Sequence, residues 1–140
     1  MDVAALITWL VTAVGGFVML GTWIAKGGTR KPRTSHFPPG LIFGHFALAA
    51  AGLVVWIIYL ITKNHSLTWI AFILLVPVAL LGFTMLARWV SVRRAHATVG
   101  GPDTAAAQPP AERHFPVVIV GGHGLFAVVT VVLVLLTALR

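Results

Sequence analysis

The sequence contains no cysteine and very few charged residues, and each shortage excludes a class of chemistry. Without cysteine, the 140-residue chain has no disulfide, thiolate nucleophile, cysteine zinc site or iron–sulfur cluster. The three acidic residues, Asp2, Asp103 and Glu112, lie outside the long apolar stretches, which argues against proton pumping by membrane carboxylates. Charged residues make up 9% of the chain, whereas they make up roughly a quarter of a soluble domain. This composition excludes an ordinary soluble domain.

Four long apolar stretches account for most of the chain. Apolar residues make up 59% of the sequence, and the mean hydropathy is +0.97. Each stretch is long enough to cross a hydrocarbon core of about 30 Å at roughly 1.5 Å per residue. We predict spanning helices at 3–25, 40–61, 67–90 and 115–139. The sequence therefore predicts an all-α integral membrane protein, folded as a four-helix up-down-up-down bundle.

Basic residues concentrate in the first and third connections between these spans, and they account for the formal net charge of +7. By the positive-inside tendency, the basic loops are cytoplasmic and both termini lie outside. No pattern of aromatic and basic residues accompanies them, so we expect no nucleic-acid partner. The expected partner is the lipid bilayer, and the expected location is a bacterial inner (plasma) membrane.

An internal duplication runs through the chain. The motif H-F-P-x5-G-H begins at His36 and again at His114, 78 residues later. A second match relates residues 16–24 to residues 82–90, at an offset of 66. The two offsets differ because the second copy has a longer connection, which contains the stretch 99–112. That stretch is rich in glycine, alanine and proline, and we predict that it is a flexible cytoplasmic linker.

The two repeats, residues 1–62 and 63–140, each contain two predicted spans. Because that number is even, both copies have the same orientation in the membrane. We therefore expect them to be parallel repeats related by a pseudo-twofold axis along the membrane normal.

Two duplicated histidines are predicted to lie inside the membrane. His45 and His123 each follow the proline of the motif by seven residues, a rise of about 10 Å along a helix. In an up-down-up-down bundle the second and fourth helices are diagonal, so both imidazoles can reach one iron atom between them. This is the geometry of a bis-histidine haem, and the ligation resembles that of membrane b-type cytochromes.

Neighbouring residues of the motif complete the predicted haem b site. Gly44 and Gly122 flank the two predicted ligands and would leave room for a porphyrin between the helices. His36 and His114 are expected at the cytoplasmic interface, where they and the loop arginines would bind the propionates. The four histidines therefore form two tiers.

The sequence leaves alternatives open. Met19 and Met85 are predicted at nearly the depth of His45 and His123, and such a set of two histidines and two methionines would suit copper. Besides electron transfer in a membrane redox chain, the chain fits two functions: a carrier of a metal ion, proton or small substrate with a central His/Met tier, and an accessory subunit of a larger membrane complex. The sequence decides neither whether the chain is an enzyme nor whether it forms homo-oligomers.

Overall fold

The protein is all-helical in the part of the chain that the computed structural model describes, residues 1–30, 35–98 and 109–140, with the side chains of 96–98 excepted. Four long helices are each long and apolar enough to cross a membrane, which confirms the predicted all-helical class and the four predicted apolar helices. They are α1 (Asp2–Ala25), α2 (Pro39–Thr62), α3 (Ser66–Thr98) and α4 (Val117–Ala138), and a short 3-10 helix (Ala111–His114) precedes α4.

The helix ends follow from local sequence. Helices α2 and α4 begin directly after Pro38 and Pro116, because the fixed φ of proline and its missing N–H suit the start of a helix. Helix α2 ends where Lys63 adopts a left-handed conformation with φ 55°. Helix α3 extends eight residues beyond the predicted 67–90, because the polar segment that follows still lacks a helix breaker.

The four helices pack as two extensive pairs. Helix α1 packs along α4, and α2 packs along α3. Helix α3 also contacts α4, while α1 touches α2 over a shorter stretch. Within the described residues no close backbone contact joins α1 to α3 or α2 to α4. The two histidine-bearing helices, α2 and α4, are therefore diagonal neighbours.

Contacts define two ends of the bundle. At the loop end, where the α1–α2 and α3–α4 connections lie, the last turns of α1 and the second half of α3 meet the starts of α2 and α4 around a buried cluster: Trp23, Phe37, Ile42, Trp89, Ala111 and Phe115. The termini end has its own buried cluster, which consists of Ala5, Trp9, Trp56, Tyr59, Ala71, Leu75 and Val134. There the Trp56 indole and the Tyr59 hydroxyl donate hydrogen bonds to Asp2.

The stretch 99–112, predicted as a linker, is only partly described. Residues 99–108 lie outside the described residues. The remainder is packed against the bundle, since the 3-10 helix contacts α1 and α3 and its first two residues, Ala111 and Glu112, are fully buried. A composition rich in small residues does not distinguish an open linker from a short segment that docks.

Candidate functional site

His45 and His123 face each other inside the bundle. Each lies six residues after the start of its helix, so both are at about 9 Å of rise from the loop end. Both residues are half-buried. Their ring centroids are 6.3 Å apart, with 52° between the ring planes. The structure thus brings together the two histidines that the duplication singles out.

Each imidazole is anchored to the main chain of a neighbouring helix. His45 Nδ1 lies 3.0 Å from the carbonyl oxygen of Val78 on α3. His123 Nδ1 lies 2.8 Å from the carbonyl oxygen of Thr12 on α1. Because a carbonyl oxygen only accepts, Nδ1 must be the protonated nitrogen in both rings. This tautomer leaves the Nε2 lone pair of each histidine for a ligand, and the same arrangement is usual for histidines that bind metals.

Glycine at three neighbouring positions makes room for the rings. A Cβ atom at Gly82 would lie 3.3 Å from Cε1 of His45, and one at Gly16 would lie 3.3 Å from Cε1 of His123. Gly15 similarly contacts the Cβ of His123. These separations are tighter than ordinary carbon contacts, so a side chain at Gly16 or Gly82 would displace the adjacent ring.

Gly44 and Gly122, the glycines of the predicted site, border open space. A Cβ at either position would meet no atom within 4 Å beyond its own surroundings in the helix. Packing between the described helices therefore does not require glycine there. Their role in making room for a porphyrin stays a prediction.

The spacing of the two rings suits one shared iron. Metal–nitrogen bonds of about 2 Å, added to roughly 1 Å from each nitrogen to its ring centre, separate two such centroids by about 6 Å. The observed 6.3 Å matches this value. Two imidazoles, each held through Nδ1, are also the donor set that a bis-histidine haem requires. The residues present therefore fit the predicted haem ligands.

The other tier of histidines has a different arrangement. His36 donates through its backbone N–H and interacts through Nδ1 with the same oxygen, Oε1 of Glu112, at 2.7 Å and 2.9 Å. Arg88 donates to the carbonyl oxygen of His36 at 2.9 Å. The contact of His114 among the described residues is one of 3.3 Å from Nδ1 to the carbonyl oxygen of Ala111, in its own 3-10 helix. The two copies of this histidine thus differ in their partners.

The methionines of the copper alternative lie toward the loop end. Met19 and Met85 are half-buried and pack against the cluster that contains Trp23 and Trp89. In the described part of the chain, no group of three or more histidine, cysteine, aspartate or glutamate residues could hold a metal ion. The copper site with these thioethers stays a prediction.

No protein-family model matches this chain. No curated protein and no solved structure is significantly similar to it.

Sequence reasoning missed several residues that shape the two tiers. Thr12 and Val78 contribute main-chain oxygens, so their side chains carry no signal. Their spacing of 66 residues does carry one, because it equals the offset between the matching segments that contain Gly16 and Gly82. Glu112 gave no such signal, since an acidic residue in a segment rich in alanine and proline is typical of a solvated loop.

Proposed function

We propose that this chain is a small integral membrane protein that holds one haem b between His45 and His123 and transfers electrons in a membrane redox chain. The observation that carries the proposal is the pair of anchored imidazoles with centroids 6.3 Å apart. Each Nδ1 is held by a carbonyl of another helix, so both rings keep their orientation without relying on the metal. Such preorganisation favours binding, because little side-chain freedom remains to be lost.

A haem suits this donor set better than a bare metal ion. Structural zinc and similar ions need about four ligands, and two histidines supply half of that number. A porphyrin brings four nitrogens of its own, so two protein ligands complete the coordination of its iron. His45 and His123 would hold the haem, and the haem would supply one-electron chemistry there. This is the reason for proposing electron transfer.

The surface of the bundle supports the proposed membrane location. Large apolar side chains point outward along all four helices, including Val118 at 82% and Ile61 at 77% exposure. In water such a surface would be costly, at about 25 cal/mol per Å² of apolar area. In a bilayer it lies against acyl chains. We propose the up-down-up-down arrangement, with the loop end cytoplasmic and both termini outside.

The haem proposal is tested with purified protein that has been expressed with sufficient haem. We expect a Soret band and six-coordinate low-spin iron at one haem per chain. His45→Ala and His123→Ala should each abolish this spectrum, whereas His65→Ala should leave it unchanged, because His65 contacts the Ala138 carbonyl at the termini end. A wild-type protein that contains copper and no haem, or a spectrum that survives both substitutions, would refute the proposal.

Because loss of a ligand could also unfold the bundle, a second pair of variants keeps a ligand in place. His45→Met and His123→Met should retain haem, with a higher reduction potential than the wild type. An unchanged potential in both folded variants would show that these residues do not bind the iron.

The proposed orientation is tested by labelling single cysteines, for which the absence of native cysteine is an advantage. Arg30→Cys, at the loop end, should react with a membrane-impermeant maleimide only when the cytoplasmic face is accessible. Asn64→Cys, between α2 and α3, should react from the outside. The opposite pattern would reverse the proposed topology and leave the haem proposal untouched.

A further inference from the structure

A cleft at the loop end lies apart from the His45–His123 pair. It has a volume of about 450 Å³ and lies between His36 and one face of α3. Its lining consists of His36, Ala87, Arg88, Ser91, Val92 and Ala95. Polar groups of α3 and of the segment before α2 thus lie beside small apolar side chains in the cleft. This combination suits an amphipathic ligand.

The position of Arg88 in this cleft is held by neighbouring groups. Its Nη1 donates to the His36 carbonyl oxygen at 2.9 Å. His36 is itself held by Glu112, which is fully buried and accepts from both the backbone N–H and the ring. A guanidinium group has five N–H donors, so this one bond orients Arg88 and leaves donors for an oxyanion.

The charge of the loop end favours an anion. Six basic side chains belong to the described part of this end, and Glu112 is its one described acidic residue, already engaged with His36. The basic residues are Lys26, Arg30, Arg88, Arg93, Arg94 and Arg113. Juxtamembrane basic groups attract anionic lipids near the membrane surface.

The cleft also lies at the level expected for a lipid headgroup. It extends along α3 from Ala87 to Ala95. It therefore lies farther toward the loop end than Gly82, which is next to the ring of His45. The matched helix α1 ends at Ala25, the counterpart of Ser91, so α3 projects seven residues, or about 10 Å, farther. This projection forms one wall beside which a headgroup can lie while its acyl chains follow the apolar helices below.

We propose that this cleft binds the phosphate of an anionic phospholipid through Arg88, with the glycerol region against Ala87 and Val92. The shared chemistry is that of a phosphate oxyanion, and the apolar lining together with the membrane-spanning surface points to a lipid as its source. The site requires no haem, so it stands or falls separately from the histidine pair.

The experiment is native mass spectrometry of the purified full chain, titrated with phosphatidylglycerol or phosphatidylcholine in detergent. We expect one phosphatidylglycerol to be retained in preference to phosphatidylcholine. Arg88→Gln should lower that retention about tenfold, in line with the loss of one charge-assisted contact. Arg30→Gln removes the same charge at the same end outside the cleft, and it should stay within about twofold of the wild type.

A further variant distinguishes a loss of lipid binding in Arg88→Gln from a folding defect. Ala87 is exposed, so Ala87→Trp fills the cleft without removing a charge or disturbing the buried cluster. It should lower phosphatidylglycerol retention as Arg88→Gln does. Equal losses in Arg30→Gln and Arg88→Gln, normal retention in Ala87→Trp, or equal retention of phosphatidylcholine would overturn the proposal. Displacement of the lipid by excess inorganic phosphate would do the same, because it would identify a free-anion site.

Discussion

The Nδ1 atom of His123 lies 2.8 Å from the main-chain oxygen of Thr12, so a histidine of the second repeat is held by a helix of the first. The reciprocal bond joins His45 of the first repeat to Val78 of the second, at 3.0 Å. Each repeat therefore supplies the main-chain oxygen that holds the other repeat's histidine. Neither half contains a complete version of this arrangement, and the pair exists only when both halves are packed together.

The glycines beside the rings give the first prediction. Gly16→Leu should displace the His123 ring, because even a Cβ at this position lies 3.3 Å from Cε1. We expect haem occupancy, measured by absorbance per protein, to fall about tenfold or more, since a 1 Å displacement of a positioned group has effects of that order or larger. Gly21→Leu is the matched control in the same helix, because a Cβ at Gly21 meets nothing within 4 Å. Equal occupancy in the two variants would contradict the prediction.

A second prediction concerns the turn that follows α1. A Cβ at Gly28 would overlap the indole of Trp23, which is fully buried and donates to Ser35 Oγ at 2.8 Å. Gly28→Ala should therefore lower the free energy of unfolding by about 1–3 kcal/mol, the usual cost of overpacking. Denaturant unfolding followed by tryptophan fluorescence measures this change. Gly40→Ala, where the added Cβ meets open space, should not destabilise the protein, and a similar loss there would refute the explanation.

The third prediction concerns the buried carboxylate of Glu112. Glu112→Ala removes both hydrogen bonds to His36, and bonds to a charged group contribute about 1.5–3 kcal/mol each. We expect faster amide hydrogen exchange at residues 35–37 and 111–115. Glu112→Gln should give a smaller effect, because its amide oxygen can still accept from the His36 backbone. Unchanged exchange in Glu112→Ala would show that this contact does not hold the loops.

The fourth prediction concerns a hydroxyl pair between α1 and α4. The hydroxyl oxygens of Thr130 and Thr8 lie 2.9 Å apart, and Thr8 keeps its own bond to the Ala5 carbonyl when that contact is removed. Thr130→Val should therefore cost only about 0.6 kcal/mol, the average for interhelical hydrogen bonds in membranes. Thr84→Val is the control, because the Thr84 hydroxyl is exposed and donates its hydrogen bond to a carbonyl oxygen of its own helix. A double-mutant cycle of Thr8 and Thr130 with no coupling would contradict this estimate.

Hydropathy was sufficient to predict the helices, because each span is defined by its own residues. The predicted 67–90 was too short for α3, which continues to Thr98 as a polar helix. Hydropathy indicates where a chain can lie in lipid, and a helix can continue into water when no proline or glycine ends it. The predicted span 40–61 begins one residue after the observed start of α2 at Pro39, because the effect of proline on a helix start is local.

The candidate site was predictable only in part. The duplicated motif singles out His45 and His123, and their pairing follows if the helices are diagonal, which the packing shows. The contact of His36 with Glu112 was not predictable, because 76 residues separate them and only one copy of the motif has such a partner. Duplicated sequence indicates common features, whereas contacts unique to one copy depend on how the connecting segments fold.

The sequence by itself determined that four apolar segments form helices and that two histidines occupy equivalent positions, since hydropathy and repeat spacing are properties of the chain alone. Only the tertiary structure decided which carbonyl holds each imidazole, which glycines make room for the rings, and that Glu112 is buried against His36. The physical reason is that every residue type has a main-chain oxygen, so the residue types do not reveal where these oxygens or the open spaces between helices lie. Their positions are set by the packing of α1 on α4 and of α2 on α3.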